Sequence, residues 1–268
     1  MANSILSEDC LLTDEDTYIS YLPAAHAFEC WLFISAIVAG AKLGFSCGDP
    51  TKLTEDCQAL RPTFFPSVPR LFNKIYAKID ADFRSLTGIK KWIAQRGLQA
   101  KTQNLLNKSE YTSCCYDSFV FNGFNAILGG RVRKIISASA PISADVVTFL
   151  KVIFACPFLE AYGMSETSGG NIWSRVEDPV SGHAGGPNLT LACKIRDIPE
   201  LEYTTADKPY PRGELCMKGP MIMSGYFLRP EKTSECLIDG WLHSGDVVEI
   251  FPNGTIKIID RTKNIFKL

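Results

Sequence analysis

Short apolar segments alternate with longer segments whose apolar residues recur at helical spacing over the first two thirds of the chain. Strands and helices that alternate with short connections predict an α/β fold, a parallel sheet with flanking helices. The predicted strands are residues 18–22, 42–46, 63–65, 132–139 and 158–162. The predicted helices are residues 28–39, a segment that opens at Asp49 and stops before Pro62, a segment capped by Ser67, and a segment that starts at Pro141 and Ser143. The segment capped by Ser67 carries Leu71, Ile75 and Ile79 on one apolar helical stripe.

The pattern changes near residue 178, after which strand-like segments follow one another. Residues 191–198 and 213–218 are strand-like, and residues 247–251 and 255–260 flank a Pro-Asn-Gly turn, which is a strong hairpin signal. We therefore predict an α/β subdomain over residues 1–178 and a small antiparallel β subdomain over residues 179–258. Residues 89–116 are polar and helix-compatible, and we interpret them as a surface helical segment without chemistry.

Composition and charge exclude several classes of protein. The 28 basic and 29 acidic residues give a net charge of −1, so nothing favours nucleic acid or an anionic membrane as a partner. The ten cysteines are spread along 268 residues without a Cys-x-x-Cys pair, and the three histidines show no zinc-ligand spacing. These features indicate reduced thiols in a cytosol-like compartment.

Two segments bear on the expected location of the protein, the N-terminus and the most apolar segment. The N-terminus lacks the basic and apolar regions of a signal peptide. Residues 30–41 are apolar but shorter than the roughly 20 residues that a membrane span needs. We therefore expect a cytosolic protein, or one on the cytosolic face of a membrane such as the endoplasmic reticulum.

The segment FLEAYGMSETSGG, residues 158–170, concentrates the candidate chemistry. A strand is expected to break at Gly163 into a loop with small hydroxyl residues and one carboxylate, Glu166. Loops at the carboxyl ends of parallel strands are where open α/β sheets bind ligands. On its own the segment favours the simpler interpretation, a strand followed by a polar turn. A right-handed crossover would place the loop of residues 137–141 opposite this one, with room for a flat ring between them.

Three further segments carry candidate residues, each with a simpler alternative. Asp246 follows a glycine and precedes a strand, where it could accept ribose hydroxyls, although a turn aspartate bonding its own backbone is commoner. Residues 260–263, Asp-Arg-Thr-Lys, are either a solvated charge cluster or a hinge. His26 lies next to an apolar helix, where a lone histidine is more often structural.

In this order the segments resemble the adenylate-forming, AMP-binding superfamily, and specifically the long-chain fatty acyl-CoA synthetases. The resemblance is carried by YLPAAHAFE, residues 42–79, GGRVRKIISASAPIS, FLEAYGMSET, GELCMKGP, SGYFLRPEKT, DGWLHSGD and FPNGTIKIIDRTKNIFKL. It covers nearly the whole chain and is weakest over residues 92–130. It implies a two-step reaction in which ATP activates a fatty acid as an acyl-adenylate and CoA then takes the acyl group.

The resemblance also implies roles for individual residues. Tyr162 stacks on adenine, Glu166 holds Mg²⁺, and Thr167 bonds the phosphate; Glu166 and Thr167 are the expected catalytic residues. Asp246 takes the ribose hydroxyls, and His26 lies near the acyl and CoA path. The expected nucleotide contacts are Ser139, Ala140, Pro141, Tyr162, Gly163, Met164, Ser165, Asp246 and Arg261. Asp260 and Lys263 mark a hinge, and Ala138 stands where the family usually has glycine.

Two parts of the family pattern do not occur in the sequence: the phosphate loop that ends in Pro-Lys-Gly, and a lid domain after a hinge over residues 259–268. We therefore expect a fragment of a ligase, with fatty acid, ATP and CoA as partners and a peripheral membrane association left open. The alternatives are an inactive nucleotide- or acyl-binding remnant and an adenylating relative with another acid substrate. The match over residues 49–79 argues against the last.

Overall fold

The computed structural model describes residues 12–262, and of Cys114 only the backbone. These residues fold into two compact units. The parallel-sheet unit takes residues 12–160 and 175–182, and the antiparallel unit takes residues 161–174 and 183–262. The predicted boundaries near residues 178 and 258 remain a prediction.

A five-stranded parallel sheet in the order β2-β1-β3-β4-β5 forms the centre of the parallel-sheet unit. Each strand except β5 is followed by helix, which confirms the predicted α/β pattern. The labelled elements up to β5 are β1 Thr17–Ser20, α1 Ala27–Ala39, β2 Lys42–Phe45, α2 Leu53–Leu60, β3 Phe64–Ser67, α3 Pro69–Ser85, α4 Gly88–Lys108, β4 Lys134–Ser137, α5 Ala144–Phe154 and β5 Phe158–Met164. Short helical turns add Pro50–Lys52, Cys114–Tyr116, Asp117–Phe121, Asn122–Asn125 and Ala126–Leu128.

The core of this unit lies between the sheet and helices α3, α4 and α5. Phe65 and Ile135 from the strands are fully buried, as are Phe72, Ile79 and Leu150 from the helices. The predicted stripe on α3 is confirmed for Ile75 and Ile79, while Leu71 is only partly buried at its edge. Burial of this stripe is what fixes the helix on the sheet.

The predicted cap of α3 is wrong by one residue. Ser67 belongs to β3, which continues through Pro66, and the helix is capped by Val68 with Pro69 in its first turn. Proline is favoured in the first helical turn because its missing N–H would have no helical partner there. Pro69 was therefore a better sequence signal for the start of α3 than the serine.

Antiparallel strands build the second unit. Its labelled elements, after the end of β5, are β6 Gly169–Trp173, β7 Gly186–Pro187, β8 Ala192–Arg196, β9 Arg212–Lys218, α6 Pro230–Cys236, β10 Leu237–Ile238, β11 Trp241–Ile250 and β12 Ile256–Arg261, with 3₁₀ turns at Ser165–Thr167 and Pro199–Leu201. Strands β5, β6 and β7 pair antiparallel. Strand β11 pairs with β9, β10 and β12, and β8 pairs with β9. The predicted hairpin around Pro252-Asn253-Gly254 is confirmed.

The predicted strand break at Gly163 is wrong. Strand β5 continues to Met164 and turns back as β6, with Gly163 opposite Gly170. A side chain at position 163 would place its Cβ 1.9 Å from the Gly169 carbonyl oxygen. The glycine is required for close contact between two strands rather than for a loop.

Within residues 12–262, no helix combines the length and apolar character needed to cross a membrane.

Candidate functional site

The turn between β5 and β6 is held together by Thr167. Its side chain is fully buried, and its hydroxyl accepts a hydrogen bond from the Met164 N–H at 3.0 Å. The same hydroxyl lies 3.0 Å from the Met164 carbonyl and 2.9 Å from the Gly169 carbonyl. A phosphate contact through this hydroxyl would have to replace one of these carbonyls. The phosphate role of Thr167 therefore stays a prediction.

Glu166 lies on the same turn and is partly exposed. The Tyr226 hydroxyl donates a hydrogen bond to Glu166 Oε1 at 2.6 Å, and the Met223 N–H donates to the Glu166 carbonyl at 2.9 Å. The hydrogen bond to Glu166 is the main reason why the pKa of Tyr226 lies above its ordinary value. The loop after β9 therefore fixes both the backbone and the carboxylate of Glu166. Sequence reasoning assigned no role to Tyr226, although its SGYF segment contributed to the family resemblance.

Asp246 is the most enclosed carboxylate of the predicted site, with 3% of its surface exposed. The Tyr162 hydroxyl donates to its Oδ2 at 2.6 Å, and Arg261 Nε lies 3.0 Å from its Oδ1. Burial, followed by the charge of Asp246, raises the pKa of Tyr162 well above its ordinary value. Three residues that the resemblance assigned to the nucleotide are thus brought together in the antiparallel unit.

A bulge in β11 sets the position of Asp246. The pairing between β11 and β9 shifts between His243 and Val247. Within the bulge the Ser244 hydroxyl donates to the Leu215 carbonyl at 2.7 Å and accepts from the Asp246 N–H at 3.0 Å. The Gly245 N–H donates to Glu214 Oε1 at 3.0 Å. Bulges redirect side chains and occur next to functional sites.

The segment from Ser139 to Pro141 follows β4 in the parallel-sheet unit. All three residues are exposed, and Ser139 has the left-handed backbone conformation, with φ of 78°. The neighbouring Ala138 is buried. Their expected position opposite Tyr162 stays a prediction. The expected nucleotide contacts of Gly163, Met164 and Ser165 also stay a prediction.

His26 and the hinge residues have local contacts. His26 Nδ1 accepts a hydrogen bond from the Phe28 N–H at 3.1 Å, so the histidine caps helix α1. Its role near the acyl and CoA path remains a prediction. Asp260 is exposed and accepts from the Arg261 N–H at 2.7 Å, while Lys263 lies outside the described residues.

A parallel sheet with flanking helices, together with antiparallel strands, is the fold class that the resemblance to adenylate-forming enzymes led us to expect. Comparison of the sequence with protein families gives a match over residues 1–227 to the family described as AMP-binding enzyme. The chain therefore belongs to the AMP-binding enzyme family.

Curated relatives place the chain near one branch of that family. It is 46% identical over 256 residues to the peroxisomal long chain acyl-CoA synthetase 7 of Arabidopsis thaliana, covering 94% of this chain and 36% of the relative. It is 40% identical over 255 residues to the human long-chain-fatty-acid–CoA ligase 1, covering 95% of this chain and 36% of the relative. The chain thus spans little more than a third of the length of these relatives.

Solved structures of adenylating domains show the same fold. The adenylation domain of a carboxylate reductase from Mycobacterium chelonae superposes with a TM-score of 0.75 at 25% identity, covering 98% of this chain and 37% of that chain. The A domain of a carboxylic acid reductase from Segniliparus rugosus, in complex with AMP and a co-purified carboxylic acid, gives a TM-score of 0.68 at 26% identity. The match covers 93% of this chain and 35% of that chain.

Proposed function

We propose that this chain is part of a long-chain fatty acid–CoA ligase, in which ATP activates a fatty acid as an acyl-adenylate before the acyl group passes to CoA. The observation that carries the proposal is the buried Asp246 carboxylate, held by Tyr162 and Arg261. The identity to long chain acyl-CoA synthetases supports the choice of substrate class.

Asp246 is the residue we assign to the ribose. A carboxylate has about four lone-pair sites on its two oxygens, so it can accept ribose hydroxyls in addition to the bonds from Tyr162 and Arg261. Hydrogen bonds to a charged acceptor are the stronger kind. The hydroxyl of Tyr162 is fixed on the same carboxylate, which orients the ring that we propose stacks on adenine. Arg261 would contact the nucleotide from the adjacent strand.

Glu166 fits a role as the Mg²⁺ ligand. Its described side-chain hydrogen bond uses Oε1, and hard cations such as Mg²⁺ prefer carboxylate oxygen. When bound, the ion would neutralise negative charge on the phosphates, and such electrostatic stabilisation is a main part of catalysis in reactions at phosphate. Tyr226 and the Met223 N–H hold Glu166 in one orientation for that purpose.

Reaction at the α-phosphate requires no covalent intermediate with the protein. The fatty-acid carboxylate oxygen attacks the α-phosphorus and pyrophosphate leaves; the CoA sulfur then attacks the acyl carbon, and AMP leaves. The contribution of this chain is to position the nucleotide. We propose that Ser139, Ala140 and Pro141 line adenine, and that His26 lies by the acyl and CoA path. The proposed location is the cytosol or the cytosolic face of a membrane.

Calorimetric titration of this chain with non-hydrolysable acyl-adenylate analogues tests the proposal. The expected result is that AMP binds and that a palmitoyl-sulfamoyl adenosine binds more tightly than the acetyl analogue. Equal affinity for both analogues would contradict the long-chain assignment and leave the nucleotide assignment intact. Failure of AMP and both analogues to bind the folded chain would overturn the whole proposal.

A further inference from the structure

Three metal-ligating side chains outside the proposed nucleotide site meet on the β9–β11 pair. Cys216 on β9 lies directly opposite His243 on β11. Glu214 is two residues before Cys216, so both side chains leave the same face of β9. No spacing along the sequence indicated this grouping, because the ligands come from two strands whose pairing is known only in the folded chain.

Two of the three distances between the ligand atoms are close to those of a tetrahedral site. His243 Nδ1 lies 3.1 Å from Glu214 Oε2 and 3.5 Å from Cys216 Sγ. One ligand atom from each of the three residues lies within 4.8 Å of the others. Zinc bonds of about 2.0–2.3 Å at tetrahedral angles give ligand-to-ligand distances of roughly 3.3–3.6 Å. Little movement is needed for the three atoms to surround one ion.

We propose that Glu214, Cys216 and His243 bind one Zn²⁺ ion, with the fourth position open to water. Thiolate, imidazole and carboxylate are all zinc ligands, and three protein ligands with an open position are a recurrent arrangement. Cys216 is fully buried and Glu214 nearly so, whereas 12% of the His243 side chain is exposed. The ion would reach the site past His243. This proposal does not rest on the proposed function.

Charge and proton balance are consistent with binding. Burial and the charge of Glu214 raise the pKa of the Cys216 thiol to about 11, so the metal-free residue carries its proton at neutral pH. Binding replaces the S–H bond with an S–Zn bond and releases that proton to solvent, without any change of oxidation state. The bound thiolate and carboxylate then balance the ion. Arg196, 2.8 Å from Glu214 Oε2, can keep its hydrogen bond because that oxygen has a second lone pair.

The site lies next to the bulge that carries Asp246. Glu214 uses Oε2 toward His243 and Oε1 toward the Gly245 N–H. An ion on Oε2 would therefore hold the same carboxylate that orients the bulge. A ligand that binds the folded chain but not the unfolded chain raises the free energy of unfolding, so Zn²⁺ should raise the melting temperature.

Titration of the full chain with Co²⁺ as a spectroscopic substitute for Zn²⁺ tests the site under reducing, anaerobic conditions. We expect one equivalent to give a sulfur-to-cobalt charge-transfer band in the near ultraviolet and visible bands of tetrahedral intensity. Zn²⁺ should displace the Co²⁺ and abolish these bands. Both sets of bands should be lost in Cys216→Ser, and the tetrahedral intensity should be lost in His243→Gln.

Cys193→Ser is the matched control, because Cys193 lies on the neighbouring strand β8 of the same sheet. Its spectrum should equal that of the wild type. Bands that persist in Cys216→Ser, or that disappear in Cys193→Ser, would overturn the proposal, as would a folded wild type without a sulfur-to-cobalt band.

X-ray absorption of the Zn²⁺-loaded wild type decides the question if a variant fails to fold. One sulfur at about 2.3 Å with nitrogen and oxygen ligands at about 2.0–2.2 Å supports the site. A shell with two or more sulfurs, or with none, overturns it.

Discussion

The Asp246 carboxylate binds two neighbouring side chains at once, so a substitution at this position has more than one effect. Its two oxygens bind the Tyr162 hydroxyl and the Arg261 guanidinium. Any change at Asp246 therefore alters the orientation of Tyr162 as well as the proposed ribose contact. A variant of Tyr162 that keeps the ring separates the two effects.

The first prediction is that Asp246→Ala weakens AMP binding. Loss of hydrogen bonds to a charged acceptor costs about 1.5–3 kcal/mol, which at 1.4 kcal/mol per factor of ten is about 10- to 150-fold in Kd. Tyr162→Phe keeps the stacking ring and should change Kd by only a few fold, whereas Tyr162→Ala should lose the stacking as well. Calorimetric titration with AMP measures all three.

Asp207→Ala provides the matched control for the first prediction. Asp207 also accepts from an arginine in the antiparallel unit, with Arg212 Nε 2.9 Å away, but it has no role in the proposed site. The Asp207→Ala variant should bind AMP as the wild type does. The ribose assignment is wrong if Asp246→Ala retains wild-type affinity while folded.

The second prediction is that Glu166→Gln affects nucleotide binding only when Mg²⁺ and phosphates beyond the first are present. The amide can still accept the Tyr226 hydrogen bond, so the turn keeps its shape, but the charge that would hold the ion is lost. AMP affinity should stay within about two-fold, and ATP affinity in Mg²⁺ should fall. Titration with each nucleotide, with and without Mg²⁺, measures this; equal loss for AMP would point to a structural effect.

At the scale of elements, the contact between β5 and β6 depends on one glycine. A Cβ at position 163 would lie 1.9 Å from the Gly169 carbonyl, and both atoms belong to paired backbone that cannot move independently. The turn that carries Glu166 and Thr167 connects these two strands. Its geometry therefore depends on the absence of a side chain at this position.

The third prediction is that Gly163→Ala lowers the free energy of unfolding by about 1–3 kcal/mol or more, which is the cost of forcing an extra methyl group into packed structure. Gly123→Ala is the control, because its Cβ would meet nothing within 4 Å on a short helix, and alanine is favoured there. Urea unfolding of both variants measures the difference. Equal midpoints for the two would show that the strands can separate without cost.

A buried ion pair connects α4 to the helical turns that follow it. Lys101 is 1% exposed and donates to Asp117 and to the Val152 carbonyl, the latter at 2.7 Å. Its ammonium also lies 4.7 Å from the centre of the Phe121 ring. Burial lowers the pKa of Lys101, and Asp117 opposes this effect. The predicted surface segment without chemistry therefore contains a buried charge with a structural role.

The fourth prediction is that Lys101→Ala costs about 3–5 kcal/mol, because it leaves the partner carboxylate without its cation. Arg84→Ala removes an exposed ion pair with Asp80 and should cost less than about 1 kcal/mol. Denaturant unfolding compares the two variants. Similar costs would show that Asp117 is adequately solvated without Lys101.

At the scale of the whole molecule, each unit has a hydrophobic core of its own among the described residues. In the parallel-sheet unit, Asp16 ties together the segments that begin three strands. It accepts from Thr63 Oγ1 at 2.6 Å, from Arg133 Nε at 2.7 Å and from the Thr13 N–H at 2.9 Å. Burial alone would raise the pKa of Asp16, but the bonds from Arg133, Thr63 and Thr13 outweigh it and the pKa is lowered.

The fifth prediction concerns the pH dependence of folding. Because the folded pKa of Asp16 is lowered, its stabilisation is present above the unfolded pKa of about 3.9 and is lost as pH falls through the folded value. Asp16→Asn should cost on the order of 1.5–3 kcal/mol at pH 7. The difference from the wild type should shrink as the pH falls below about 4. Unfolding free energies measured from pH 7 to pH 3 provide the check; a constant difference would contradict it.

Local patterns along the chain were enough to predict the order of the elements, and the ordered motifs were enough to predict the family. Helix α1, the stripe of Ile75 and Ile79 and the hairpin around Asn253 depend on residues close together in the chain, so periodicity and turn chemistry predict them. The resemblance also named Tyr162, Asp246 and Arg261 before any contact among them was known. What it could not supply was the continuation of β5 past Gly163, because that depends on the strand β6 lying against it.

Tertiary structure alone decided which distant side chains meet. Tyr226 reaches Glu166 across 60 residues, and His243 reaches Cys216 across 27. Such pairs are fixed by strand register and by bulges, since a shift of one residue turns a side chain to the other face of the sheet. Register is set by the burial of whole faces rather than by the residues that meet. Local sequence therefore identifies the candidate residues, and the packed sheet determines their partners.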